Sequence, residues 1–506
     1  MATPRTKNPT RREFMTRAAG AALTTALPTE VFGQSKGQKG RPPNVLLIMS
    51  DDMRVELGCY ASRFEAQSPN LDALAKHGVR FDRNYCQFPL CNPSRASLLT
   101  GQTPRVTEVL GNRTDFRATH PELTSLPQLF REQGYATART GKIFHGGYDD
   151  PKAWEVGGGN KTIETTTEAA PLGKTMVIPP SPVPPRPPDV LGNLPLDNQQ
   201  ALNSDRIVVL DGNGEGHPEN IVAETAIQYL RAYRDRPFFI GCGFSKPHSP
   251  PTAPKHFFDQ YDPSKIELTP DFAAWPTVPA GFPKAAIRMR NADLFIGRGA
   301  STQEAKEVIR AYLASISWVD WNVGRVLAEL DALGLRDNTI VVFVADHGYQ
   351  LGEKGKWSKA GSLFEMGTRV PLIIDAPSAR GNGHTSTRIV QSLDIYPTLV
   401  ELCGLKSSQK LEGRSLAPLL HAPQSAWDHP AFSIWSEDGK SVHGTAVRNE
   451  SWRYAEFGEG GKNGSMLFDV HADVFETKNL ADDPRYATVR RELSGLIRRY
   501  GEASIT

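Results

Sequence analysis

Two short runs of branched apolar residues, each ending in acids, constrain this chain more than any other feature. Residues 44–53 read NVLLIMSDDM, and residues 338–348 read NTIVVFVADHG. Apolar runs of this length and composition are strands buried on both faces, as in sheets covered by helices on each side. In such sheets, ligands bind outside the carboxyl ends of the strands. Asp51, Asp52, Asp346 and His347 therefore fall where a ligand site forms. Helical periodicity fills the intervals. SPNLDALAKHG (68–78) offers Ser68 as cap and Gly78 as stop, and EVIRAYLASISWVDWNVGRVLAELDALG (307–334) ends at Gly334. FFIGCGF (238–244) and VPLIIDAP (370–377) supply further strands. The alternation predicts an α/β fold, a large mixed or parallel sheet with helices on both faces.

A chain of 506 residues, 39% of them hydrophobic, can hold one large domain and a smaller one. The large domain is expected to span 42–421. Inside it, PLGKTMVIPPSPVPPRPPDVLGNLPLD marks an insertion at 171–200, too rich in proline for helix or central strand, and expected to run as a polyproline-like surface segment. From 422 to 506 the pattern changes to short strands, AFSIW, GTAVRN, WRYAEF and SMLFDV, followed by the helix YATVRRELSGLIRRYGE. This predicts a C-terminal α+β subdomain. With 58 basic and 56 acidic side chains, the formal charge of +2 gives no global field to recruit nucleic acid or an anionic membrane. Any anionic substrate must be attracted by local geometry.

Three carboxylates gathered at one sheet edge repel unless a cation lies between them, and oxygen ligands suit Ca²⁺ or Mg²⁺ better than zinc. Cys91, in CNPSRASLLTG (91–101), is then out of place. A thiolate is a soft ligand in a hard-cation site, a mismatch unless its sulfur has been replaced by oxygen. The other cysteines, Cys59, Cys86, Cys242 and Cys403, match no zinc spacing. They allow two disulfides in any of three pairings, or buried thiols, and at least two are read as thiols.

CNPSRASLLTG resembles the signature of type I sulfatases, in which the cysteine of a Cys-x-Pro-Ser-Arg core is oxidised to Cα-formylglycine by a dedicated generating enzyme. SDDM, GKIFH (141–145), KPHSP (246–250), ADHGYQLGEKGKWSK (345–359) and MGTRVPLII (366–374) stand in that family's order, and LFDVHADVFETKNLADDP (467–484) resembles its closing segment. The GKIFH, KPH and LGEKGKWSK blocks are most similar to the iduronate-2-sulfatase subfamily. Gln102 departs from the Arg or Lys that many members carry after the Thr-Gly.

The resemblance implies a sulfatase, a sulfuric ester hydrolase of alkaline-phosphatase-like fold. In it Asp51, Asp52, Asp346, His347 and the converted Cys91 hold Ca²⁺, with Mg²⁺ as the alternative. Hydrated formylglycine has two hydroxyls, one to attack sulfur and one left for the exit step. Arg95 and Lys142 would hold this diol, and His145 would be the base that expels sulfate. His248 would be the acid for the departing sugar oxygen, and Lys359 would stabilise charge on sulfate. His77, His120, His217, His256 and His384 are left without a role, and Lys356 is read as a solvated neighbour of Lys359. The expected substrate is a sulfated oligosaccharide or polysaccharide, sulfated at O2 of a terminal uronic acid. Arg95, Lys142, Lys246 and Lys359 exceed what one sulfate needs, leaving a cation for a carboxylate. The alternatives are an exo-sulfatase for another sugar, a metal-dependent phosphatase or phosphodiesterase, and a silent glycan-binding protein.

At the N-terminus, TRREFMTRAAGAALTTAL (10–27) resembles a twin-arginine export signal, Arg11 and Arg12 preceding an Ala-rich stretch too short to span a bilayer. Residues 1–35 are thus read as signal and lead-in. The mature protein is expected outside the cytoplasm, periplasmic or extracellular, and free of the membrane.

Overall fold

β1 (Asn44–Asp51) is buried along its whole length. Val45, Leu47 and Met49 pack into the core on one side, Leu46 and Ile48 into the core on the other. Each such side chain contributes ~1.5–3 kcal/mol by leaving water, so the strand has one stable place, inside the sheet. The computed structural model describes residues 41–158, 174–177, 182–188 and 205–503. The expected export signal and most of the proline-rich insertion lie outside them.

The other strands are β2 (Val79–Tyr85), β3 (Ala136–Gly141), β4 (Lys174–Val177), β5 (Arg206–Leu210), β6 (Phe238–Pro247), β7 (Thr252–Pro254), β8 (Thr339–Ala345), β9 (Arg369–Asp375) and β10 (Thr385–Gln391). The C-terminal ones are β11 (Ala431–Trp435), β12 (Gly444–Arg448), β13 (Trp452–Phe457) and β14 (Ser465–Asp469). Seven form the main sheet, in the order β10-β2-β9-β8-β1-β6-β3. Only β9 runs antiparallel to its neighbours, so the sheet is mixed, as expected. The register decides the site. Ser50 pairs with Ala345 and Asp51 with Pro247, so the carboxyl ends of β1, β8 and β6 come level. β3 joins this edge through glycines: Gly141 has φ +67°, and a Cβ there would meet the Gly243 carbonyl oxygen at 2.0 Å. Only glycine allows that approach, which brings Lys142 to the same edge.

The helix Thr302–Ala332 packs on the face bearing Leu46 and Ile48. It begins with a capping box, Ser301 and Glu304, whose cap residue lies six positions before the periodic stretch at 307. The helix Pro69–His77 has the predicted bounds, but Ser68 gives its N-terminus no side-chain bond and donates instead to Asp72. Part of the insertion, Lys174–Val177, pairs as the edge of a three-stranded sheet, β4-β5-β7, instead of running as polyproline. An edge strand tolerates nearby prolines because one side of its ladder needs no partner. All five cysteines are free thiols, so the two-disulfide alternative is not realised.

β11 to β14 form a separate antiparallel sheet. One face packs on the helix Ala487–Ala503 through Val447, Tyr454 and Leu467 against Leu493 and Ile497. The other carries Ala446, Ala455 and Phe468 against Phe88, Leu363 and Phe364, which flank the site segments. Among the described residues, no helix is long and apolar enough to cross a membrane.

Candidate active site

At the end of β1 the register shifts between Met49 and Asp51, and Asp52 turns into the left-handed region at φ +63°. Its carboxylate and that of Asp51 thus leave the strand in different directions. Facing them, the helix Cys91–Thr100 starts at Cys91 itself and stops at Gly101, φ +67°. The Cys91 thiol is buried, 3.5 Å from Asp51 Oδ1 and 3.2 Å from His347 Nε2. Potential ligand atoms of Asp51, Cys91, Asp346 and His347 all lie within 4.8 Å of one another, and Asp52, Cys91 and His248 form a second such group.

Arg95, one turn along the helix from Cys91, is fully buried. Its Nε donates to Asp346 Oδ2 at 2.8 Å, and Nη1 donates to the carbonyls of Lys142 and Ile143. Its Nη2 makes no hydrogen bond and lies 3.8 Å from Asp51 Oδ2. The Lys142 ammonium donates to Asp51 Oδ2. Lys359 bridges Asp52 Oδ2 at 3.0 Å and Asp293 Oδ1 at 3.3 Å. His248 is half-buried, its Nδ1 donating to the Ser249 carbonyl at 2.7 Å and its Nε2 3.9 Å from Asp52. His145, in the bend after β3, is half-buried with its ring along Tyr148.

The electrostatics fit a divalent cation. Burial alone would raise Asp51, but Lys142 and then Arg95 outweigh it and hold its carboxylate well below the usual range. Burial drives Asp52 well above that range, only partly offset by Lys359 and His347. Burial lowers His347, but Asp346 and Cys91 outweigh it and push it up to about 10. A divalent cation there would offset the repulsion among the carboxylates and favour the charged form of Asp52, which burial disfavours. The Asp52 Oδ1 atom is buried without a hydrogen bond. His347 Nδ1 faces the Gly348 carbonyl and Asp52, so its Nε2 is the nitrogen turned to the cluster. Oxygen donors and one imidazole match Ca²⁺ or Mg²⁺.

Two sequence readings need correction. Lys356 is not solvated: its ammonium is buried on the carbonyls of Arg288 and Arg290, and burial pushes its pKa down to about 7. Nor do the four basic residues all stand free for substrate. Arg95, Lys142 and Lys359 are each paired with acids, and Lys246 is buried, donating to the carbonyls of His248 and Pro250 at 2.9 Å each. Sequence reasoning also missed Asp293, which sits in no apolar or motif context, and Tyr312, which reads as core on a periodic helix. Gln102 points its amide away, to the Lys410 carbonyl.

The sulfatase family model matches residues 43–405, the segment that builds this cluster. The chain belongs to the sulfatase family. A second model, the C-terminal part of N-sulphoglucosamine sulphohydrolase, matches residues 352–502 of this sulfatase. Human iduronate 2-sulfatase is 33% identical over 412 residues, covering 72% of this chain and 69% of that protein. The choline-sulfatase of Rhizobium meliloti strain 1021 is 29% identical over 451 residues, covering 88% and 83%. The crystal structure of the phosphonate monoester hydrolase of Agrobacterium radiobacter superposes with a TM-score of 0.72 at 22% identity, covering 91% of this chain and 96% of that one, a likeness of fold. The protein is a sulfuric ester hydrolase, and its family works through formylglycine and a divalent metal.

Proposed function

We propose that this sulfatase removes sulfate from a saccharide, using Cys91 converted to formylglycine and a divalent cation held by Asp51, Asp52, Asp346, His347 and residue 91. One observation carries the reading: the Cys91 side chain lies inside an oxygen-rich ligand cluster, where a thiol is chemically wrong and an oxygen in its place is right. The cation, when bound, supplies Lewis-acid polarisation of the sulfate oxygens. Arg95 and Lys142 hold residue 91 and its neighbouring carboxylate, and His145 takes the proton whose removal releases sulfate. His248 protonates the leaving sugar oxygen, and Lys359 stabilises charge on sulfate. Residues 42–421 are the catalytic domain in this reading, with 422–506 a subdomain against its site segments.

The finer reading is a terminal uronic acid sulfated at O2. It is supported by the GKIFH, KPHSP and LGEKGKWSK blocks and by the similarity to iduronate 2-sulfatase. A second reading is a sulfated sugar without a carboxylate, favoured because Arg95, Lys142 and Lys359 are each already paired with acids. The test offers 2-O-sulfated iduronate or glucuronate at the non-reducing end of heparan, dermatan or ulvan oligosaccharides, beside 6-O-sulfated glucosamine and galactose. Preference for the uronates supports the first reading, and preference for the others replaces it. A mass spectrum of the peptide holding residue 91, from cells with the generating enzyme, should show the aldehyde; an unmodified thiol in fully active protein would overturn the formylglycine assignment.

Export is part of the proposal. A twin-arginine route carries folded proteins, so conversion of Cys91, which folding buries, must come first, on the unfolded chain in the cytoplasm. Replacing Arg11 and Arg12 by Lys should leave active enzyme inside the cell. Normal export of that variant, followed by cell fractionation, would remove the twin-arginine reading.

A further inference from the structure

The left-handed backbone of Asp52 is unusual for a residue with a Cβ, and it persists only where its surroundings hold it. Two groups do so. The Asp52 N–H donates to Asp346 Oδ1 at 3.2 Å. The Asp52 carbonyl accepts from the hydroxyl of Tyr312 at 2.6 Å, and the same phenol oxygen accepts the N–H of Arg54 at 3.0 Å. One hydroxyl thus spans residues 52 to 54 from a helix 260 positions away in the chain. Tyr312 itself has little freedom. It is buried on the helix Thr302–Ala332, its ring stacked on that of Tyr349 at 6.1 Å. Three residues further along the same helix, Ser315 accepts the N–H of Thr252, just beyond the KPHSP segment. This helix therefore fixes two of the loops that carry site residues.

The consequence reaches the cluster through Asp52. In the left-handed turn its carboxylate meets Lys359 on one oxygen and His347 Nδ1, at 3.2 Å, on the other. In the extended conformation that non-glycine residues prefer, the side chain would leave the opposite way along the strand. We propose that Tyr312 is a positioning residue: its hydroxyl clamps Asp52 in the left-handed turn, keeps that carboxylate in the ligand cluster, and so sets the site's affinity for its divalent cation. The inference rests on reading the cluster as a cation site.

The experiment uses the full chain, stripped with chelator and titrated with Ca²⁺ by calorimetry. Tyr312→Phe removes the hydroxyl and little else. Cation binding should weaken about 10–100-fold, the usual effect of losing a group that orients a ligand. Turnover should fall at limiting Ca²⁺ and recover most of its value at saturating Ca²⁺. Wild-type protein that binds neither Ca²⁺ nor Mg²⁺ would remove the cation reading and this inference with it. Tight wild-type binding that Tyr312→Phe leaves within twofold would remove the inference alone.

A second arm asks whether Tyr312 acts through the Asp52 backbone. Glycine accepts φ +63° without strain, so thermal unfolding in excess chelator is compared for Tyr312→Phe in the wild-type and Asp52→Gly backgrounds. The loss of Tm should be clearly smaller with glycine at 52. Equal losses would make Tyr312 a packing residue. A single variant too unstable to purify beside a foldable double variant supports the clamp, and failure of both to fold overturns it.

Discussion

Asp346→Ala is expected to abolish turnover and to lower stability as well, more than loss of any other acid in the cluster. Asp346 is the hub of the buried charges. One carboxylate oxygen takes Arg95 Nε at 2.8 Å, and the other accepts the backbone N–H of Asp52 at 3.2 Å and of His347 at 2.8 Å. Removing it leaves the Arg95 guanidinium buried and short of its main partner. Breaking a buried pair from one side costs about 3–5 kcal/mol. Asp52→Ala should also abolish turnover, because the cation would lose a ligand. Its effect on stability in excess chelator should be smaller, since Lys359 keeps Asp293 as a partner at 3.3 Å and burial disfavours the charged form of Asp52. Thermal unfolding of the two variants without metal, beside a Ca²⁺ titration of activity, separates the cases. Equal Tm values for both variants would show that Asp346 is only a ligand.

The second large effect belongs to His248. His248→Ala should slow hydrolysis of sulfated sugars ~10²–10⁴-fold, the range of a general acid, and slow an activated aryl sulfate far less, because a phenolate leaves without a proton. Equal losses on both would make His248 a sulfate binder. The pH profile carries the same question. Burial, then Lys359, holds the His248 imidazole well below its usual value, and its Nδ1 proton is committed to the Ser249 carbonyl. In the free enzyme Nε2 is therefore bare near neutrality. If the proton must be on Nε2 to reach the leaving oxygen, kcat/KM falls as pH rises through that lowered pKa, and its optimum lies on the acid side of 6.5. In His248→Ala this falling limb should disappear for sugar sulfates.

How much of this was legible in the chain depends on the kind of signal. β1 and β8 are apolar throughout because helices cover them on both faces, so their acids could be placed at the active edge directly. β2, β3 and β10 were not seen. VRFDRNY, ATARTG and TSTRIVQ are polar because their charged side chains are satisfied laterally, as Arg139 is by Asp149 at 2.7 Å. Lys142, His145 and His248 stand on irregular segments with no periodicity, and only family blocks singled them out. Lys356 was misread because a lysine near another lysine is normally solvated, whereas here two backbone carbonyls capture it.

The sequence by itself determined the sheet's central strands, the acids at their ends and the mismatch of Cys91 with a hard-cation site. These follow from local composition, since a buried strand must be apolar and a soft thiol does not suit oxygen-ligated metal. Only the tertiary structure decided which charges cancel. Asp293 reaches Lys359 from 66 residues away, and Tyr312 reaches Asp52 from 260. Such pairings depend on register and helix placement, which bring together side chains that no local pattern links. They engaged Arg95, Lys142 and Lys359 with acids and disclosed the clamp on Asp52.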